Sequence, residues 1–465
     1  MEKKDEAKAL LEKLAHTQKN AVLTLDDKTV KQADKFCVDY MKYLDSSKTE
    51  REAVSTSEQI ALKAGFKRFN PDEKYSKGDR VYVNNRGKAM ILAVIGSRPV
   101  KNGVRIAAAH IDSPRLDLKP NPLYEADELA LFKTHYYGGI KKYQWTAIPL
   151  ALHGVIVKKD QSVVSVNIGE DDGDFRFVIS DLLPHLSAEQ LKRTLAEGIK
   201  GEELNVLIGS RPFRSDEGSE LVKLNILKIL NEKYGITETD FLSAELEIVP
   251  AFKASDIGFD RSMIGSYGHD DRVCAYPALM AAVNAKNPEY TVISVLADKE
   301  EIGSEGNTGL VSRYFENFVN DLGRAEGIFG YEILRNSKCL SADVNAAFDP
   351  TFPDVAEKKN FAFINRGVVI TKYTGSRGKG GTSDASAEYL GEIRAILDGA
   401  GIVWQTGELG KVDAGGGGTV AKYIAALDVD VVDVGVPVLS MHAPFEVVTK
   451  IDVYMAYKAF ESFFK

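Results

Sequence analysis

Apolar residues recur at helical spacing over residues 7–14 and again over 33–44, so the stretch 6–66 reads as helical. Short strands are expected next, at 80–84 and 89–95. The run Gly103-Val-Arg-Ile-Ala-Ala-Ala-His110 is apolar, too short for a helix and bounded by turn residues, the pattern of a strand buried on both faces. From 118 to 253 the texture changes to alternating apolar and polar positions, as at 163–168 and 175–179, with polar turns between. Beyond Asp256 apolar strands return at 292–297, 339–343, 368–373 and 429–439, alternating with helical stretches such as 271–282. That alternation predicts an α/β fold with a mostly parallel sheet flanked by helices. At 465 residues the chain exceeds one ordinary core. The pattern therefore divides into an α/β domain made from 1–117 and 254–465 and an inserted β-rich domain, 118–253.

Composition narrows the class. Apolar residues make up 44% and charged residues 27%, the balance of a globular enzyme rather than a disordered or fibrous chain. The net charge of -8 is modest, and no Lys/Arg cluster is interleaved with aromatics, which argues against nucleic acid as a partner. No apolar run reaches membrane-spanning length, and residues 1–8 are charged where a secretory signal would be apolar. Three widely spaced cysteines, Cys37, Cys274 and Cys339, form neither a disulfide framework nor a thiolate zinc motif, so a reducing cytoplasm is expected.

Catalytic metals favour imidazole and carboxylate ligands and keep one position open. Of the seven histidines, His110 and His442 stand at or just past the end of an apolar strand. Asp270 precedes a helical run, Glu300-Glu301 follows strand 292–297, and Asp343 ends another strand. In an open α/β sheet, ligands bind beyond the carboxyl ends of the strands, where these segments would converge. Singly, each has a plain structural alternative: a hydrogen-bonded histidine, a helix N-cap at Asp270, or a solvated acidic pair at 300–301. The ordered set after successive strands points instead to a metal centre.

The blocks Ala109-His-Ile-Asp-Ser-Pro-Arg115, Tyr137-Gly-Gly139, Leu183-Pro-His-Leu186, His269-Asp-Asp-Arg272, Glu300-Glu-Ile-Gly-Ser304, Ser341-Ala-Asp343, Lys372-Tyr-Thr-Gly375 and Ser440-Met-His442 run over nearly the whole chain. In this order they resemble the aminopeptidase I and aspartyl aminopeptidase family of dinuclear zinc metallopeptidases. The resemblance implies hydrolysis of the N-terminal peptide bond of peptides with a free amino end. It further implies two divalent ions per subunit, zinc or, by the same ligand chemistry, cobalt or manganese. Asp270 would bridge them, with Glu301 and His442 completing one ion and His110 and Asp343 the other. Glu300 would be the general base, and Asp112 would orient His110 from behind. The insert would make dimers that assemble into a tetrahedral dodecamer, with His185 reaching a neighbouring active site as an oxyanion or substrate contact. Lys372, Gly415 and Gly416 would line the substrate cleft. The chain departs from acid-preferring members at Asn345-Ala-Ala-Phe-Asp349-Pro350, where those carry His-Pro after the metal-binding aspartate. A carboxylate at Asp349 would repel an acidic substrate side chain, so a neutral or basic first residue is expected. The rival readings are a related dinuclear amidohydrolase of other specificity and a catalytically silent assembly protein.

Overall fold

The computed structural model describes residues 2–171 and 173–465. Near the start, helices span Glu2–Leu14, Asp27–Asp45 and Glu50–Lys63. Asp26 caps the second by accepting from the Thr29 amide, and Thr49 with Glu52 forms a reciprocal capping box on the third. None of the described helices is long and apolar enough to cross a membrane.

Four adjacent parallel strands, Thr291–Ala297, Val104–His110, Lys338–Ser341 and Asp430–Gly435, form the heart of a nine-stranded sheet. Antiparallel Ala89–Val94 joins one side, followed outward by Arg80–Asn85 and the two-residue Lys67–Arg68, and Val368–Thr371 the other, followed by Trp404–Thr406. Helices His269–Asn284 and Lys450–Phe463 cover one face with Asp27–Asp45, burying Cys37, Val273, Leu279 and Phe460. Helix Tyr314–Arg324 covers the other through Phe315, Phe318 and Val319. The Val104–His110 strand is thus buried on both faces, as its apolar run, broken only by the half-buried Arg105, requires. His110 pairs opposite Ala297, so the loops after both strands leave the same edge of the sheet.

The second sheet is antiparallel and six-stranded, in the order Val163–Ile168, Leu150–Val157, Ala244–Pro250, Arg115–Ala126, Leu129–Tyr137, Asn205–Gly209. It has its own core around Trp145, Leu150, Phe177 and Ile248. Its first strand starts at Arg115, earlier than the change of pattern at 118, because the charged Arg115 is buried there by ion pairs to Glu50 and Glu247.

Several expected elements differ. Residues 175–179 make only isolated bridges, Phe177 to Leu150 and Val178 to Leu207. Their alternation reflects burial of Phe177 and Ile179 and not a ladder. Helix Leu221–Tyr234 lies within the strand-rich region and was hidden by apolar residues on several of its sides. The run 429–439 divides into Asp430–Gly435 and Pro437–Val438, which belong to different sheets. At the break the Asp343 loop crosses so closely that a Cβ on Gly435 would lie 1.7 Å from the Asp343 carbonyl oxygen.

Candidate metal centre

The loops at the carboxyl edge of the large sheet bring His110, Asp270, Glu300, Glu301, Asp343 and His442 together. Asp270 is the hub. Its Oδ1 lies 3.2 Å from His110 Nε2 and its Oδ2 lies 3.1 Å from His442 Nε2. Glu301 Oε1 stands 3.6 Å from His442 Nε2, while Asp343 Oδ1 and Glu300 Oε2 stand 3.9 and 4.0 Å from His110 Nε2. Two clusters have ligand atoms mutually within 4.8 Å: His110 with Asp270 and Glu301, and His110 with Asp271 and Asp343. A cavity of about 400 Å³ opens onto Asp270, both glutamates, Asp343 and His442, and the loop Gly416 to Thr419 forms another wall.

Local structure aims each group. The His110 ring donates from Nδ1 to the Asp112 carbonyl oxygen at 3.0 Å, leaving Nε2 facing Asp270. The Asp112 carboxylate, 3.4 Å from the same ring, also accepts the backbone N–H groups of Glu300 (3.1 Å) and Glu301 (3.2 Å) and the Tyr137 hydroxyl (2.8 Å). His442 sits in a turn at φ 65°, and its Nδ1 donates to the Gly139 carbonyl oxygen at 2.7 Å. Glu446 ties the two sides, accepting from the His442 amide at 2.7 Å and the Asp270 amide at 3.1 Å. Beneath them, the buried Arg272 guanidinium donates to Ser113 Oγ and to the Lys48 carbonyl. His269 is structural: fully buried between the Tyr40 hydroxyl and the Ile264 carbonyl, it is driven down to about 3 by burial and is neutral.

Electrostatically the cluster is short of positive charge. Burial pushes Glu300 up to about 7, and the Asp112 and Asp270 charges reinforce it against the pull of His110. Burial and then neighbouring carboxylates hold Glu301, Asp271 and Asp343 well above the usual range. Asp270 goes the other way: despite burial, its contacts with His110 and His442 hold it below that range. Against the opposing effect of burial, Asp270 and Glu301 raise His442 to about 10. Among the described residues, buried Glu301 Oε1 and Asp271 Oδ1 have no hydrogen-bond partner. Orphaned carboxylate oxygens converging with two imidazoles are the donor set of a divalent cation, so the residues fit the implied metal.

The other residues singled out from sequence lie farther apart. Gly416 lines the same cavity, whereas Gly415 faces an adjoining pocket beside Arg377 and Lys411. Lys372 pairs with Asp384 and lines a separate pocket with Glu408. Asp349 lies in a neighbouring cavity of about 490 Å³ that shares Met441 and His442 with the metal side. His185 is exposed on the 3-10 turn Pro184–Leu186 and approaches none of the clustered carboxylates. Sequence reasoning missed Asp271 and Glu446. The doubled acid at 270–271 was the available signal for the first, but Glu446 looks like an ordinary residue of the strand Glu446–Thr449.

A parallel α/β sheet carrying a histidine and carboxylate cluster beyond its strand ends defines a metal-dependent hydrolase. The family model described as aminopeptidase I zinc metalloprotease (M18) matches residues 43–464, and the chain belongs to that family. Over 453 residues it is 51% identical to a protein of Clostridium acetobutylicum called a probable M18 family aminopeptidase 1, covering 96% of this chain and 97% of that one. It is also similar to the crystal structure of an M18 family aminopeptidase from Thermotoga maritima, with TM-score 0.93, 43% identity and coverage of 97% and 99%. The fold further matches the S. cerevisiae mApe1 dodecamer, with TM-score 0.74 and 19% identity over 94% and 97% of the two chains. The chain is a metallo-aminopeptidase.

Proposed function

We propose that catalysis uses two divalent ions, zinc by the family's habit, one held by His110 and Asp343 and the other by Glu301 and His442, with Asp270 shared. Asp271 stands beside the first set. The observation that carries this reading is the Asp270 carboxylate, whose two oxygens face two different histidines at 3.2 and 3.1 Å. Ions held there would supply Lewis acidity at the scissile carbonyl and would lower the pKa of the attacking water. Glu300 lies at the cavity wall, placed to take the proton of the attacking water and return it to the leaving amine. Asp112 acts behind His110 and the glutamate turn. The peptide enters with a free amino end along the Gly416 loop, and Asp349 in the cavity beyond His442 disfavours an acidic first side chain.

We assign the second sheet, spanning the inserted region, to subunit assembly into dimers and then a dodecamer. Exposed Leu182, Leu183, Leu186, Leu191 and Leu195 support this, being five large apolar side chains left open within one short segment, the one that carries His185, the proposed contact to a neighbouring site. Three buried thiols without a disulfide suit a cytoplasmic location.

The test is a metal titration of stripped enzyme refilled with one ion at a time and assayed on aminoacyl reporter substrates. Glu300→Gln keeps its metal and loses about 100- to 10,000-fold in kcat, as for lost general acid-base catalysis. Glu301→Gln binds one ion weakly and is partly rescued by excess. Rescue of the first variant and not the second would reverse the two roles, and full activity after stripping would end the mechanism.

A further inference from the structure

The turn that carries Glu300 has no cap of its own. Glu300–Ile302 is a single 3-10 turn preceded by Lys299 at φ 68°, and the Lys299 side chain makes no capping bond. The first amides of such a turn are orphans that need an acceptor from elsewhere. Asp112 supplies it across the sheet, with Oδ1 on the Glu300 N–H and Oδ2 on the Glu301 N–H. A free aspartate would rotate about its χ angles, so something must fix that carboxylate in the plane where each oxygen meets one amide. The Tyr137 hydroxyl does so at 2.8 Å from Oδ2. Tyr137 is the last residue of the second sheet's strand Leu129–Tyr137, and its ring lies 3.9 Å under the Arg115 guanidinium. Arg115 is itself buried and locked by Glu50, Asp117 and Glu247. An ion-paired anchor in one sheet thus reaches, through one phenol, the backbone of a catalytic turn on the other.

We infer that Tyr137 is a positioning residue: its hydroxyl holds the Asp112 carboxylate in the orientation that caps the Glu300–Glu301 turn and so aims Glu300 into the cavity. The inference rests on the reading of Glu300 as base. It does not require Tyr137 to touch substrate or metal. The His110 imidazole keeps its main partner, the Asp112 carbonyl, when the phenol is removed, so His110 is not what Tyr137 governs; Glu301 rides on the same capped turn, and the test below is therefore run at saturating metal.

The experiment is a double-mutant cycle in the metal-loaded enzyme: Tyr137→Phe, Glu300→Gln and the pair, each measured for kcat, KM, metal content and melting temperature. Tyr137→Phe keeps the ring on Arg115 and removes only the hydroxyl. The expected result is a fall in kcat of about 10- to 100-fold, the scale on which outer partners of catalytic groups act. KM should stay within about twofold, since substrate binding is untouched, with metal content at saturating ion unchanged and the melting temperature lowered by only a few degrees, as for one lost buried hydrogen bond. In the Glu300→Gln background the same change should cost almost nothing, because the group it aims is gone. Tyr136→Phe, on the neighbouring half-exposed ring of the same strand, is the control and should match wild type. A wild-type kcat for Tyr137→Phe, a loss that multiplies in full with that of Glu300→Gln, or a loss explained by missing metal would each overturn the inference. If Glu300→Gln itself kept activity, the base assignment would fail, and the positioning role with it. That outcome is distinguishable because it appears in the single variant without Tyr137.

Discussion

His110 and His442 face opposite oxygens of one carboxylate, yet the chain holds them by different means. His110 ends a central strand, its side chain is 1% exposed, and its ring is held by a carbonyl two residues on, while its amide donates to Asp271 Oδ2 at 3.2 Å, 161 residues away. His442 occupies a turn at positive φ with its side chain 36% exposed. Its amide leans on Glu446, and its ring is held by a carbonyl 303 residues away in sequence. A strand end orients a ligand by the sheet that contains it. A loop ligand must borrow orientation, and each lender becomes part of the site. A residue without the full left-handed tolerance of glycine is held at φ 65° with the help of such contacts.

The largest effect should come from removing what the two sides share. Asp270→Asn takes the charge from both histidines at once, so metal content falls and kcat/KM drops by about 1,000-fold or more, the scale of several kcal/mol of lost Lewis-acid stabilisation. Metal analysis showing full occupancy in this variant would refute the shared-ligand role. A smaller loss is expected for Glu446→Gln, weighted to the His442 side by the shorter of its two contacts (2.7 against 3.1 Å), because it sets an amide group against one of the N–H groups that the carboxylate accepts. Affinity for one ion should fall by about 10- to 100-fold while the His110 side stays loaded. Equilibrium dialysis showing both ions leaving together would break the distinction between the two sides.

His153 sharpens the contrast with the least effect on turnover. It is buried in the second sheet between Glu52 (2.8 Å) and Glu170 (3.2 Å), with no second histidine to share a carboxylate. Against the downward push of burial, those two carboxylates raise it to about 9. A base whose folded pKa lies above its unfolded value stabilises fully below the unfolded pKa and loses that contribution as pH rises through the folded one. Wild type should therefore exceed His153→Gln in stability by up to about 3 kcal/mol near pH 6, with the gap closing as pH passes through about 9. Denaturant unfolding at pH 6, 8 and 10, with and without chelator, checks this. A gap independent of pH would show a neutral ring.

What was legible in the chain follows from what repeats. The buried strands that place His110 and Glu300 announce themselves as mainly apolar runs, and a charged residue just past such a run has few places to be except the sheet's edge. The order of loops then suffices to gather Asp270, Asp343 and His442. Period says nothing about which way a loop side chain turns, which is why Lys372, Gly415, Asp349 and Gly416 spread over four pockets. Nor does it reveal partners from another sheet. Tyr137 and Gly139 look like the end of a surface strand, and Glu446 like strand alternation, until the fold sets them against Asp112 and His442.

The carbonyl of Gly139 belongs to the main chain, so no replacement of its side chain can delete the acceptor that steers His442. Heredity can reach this contact mainly by changing chain length. Losing or gaining one residue in the hairpin formed by Arg115–Ala126 and Leu129–Tyr137 would slide the strand by one step and turn its residues to the opposite face. Lineages of this enzyme should then tolerate varied letters along that hairpin, Arg115 and Tyr137 apart, while holding its length fixed, and a library of single-residue deletions there should be far poorer in active clones than a library of substitutions.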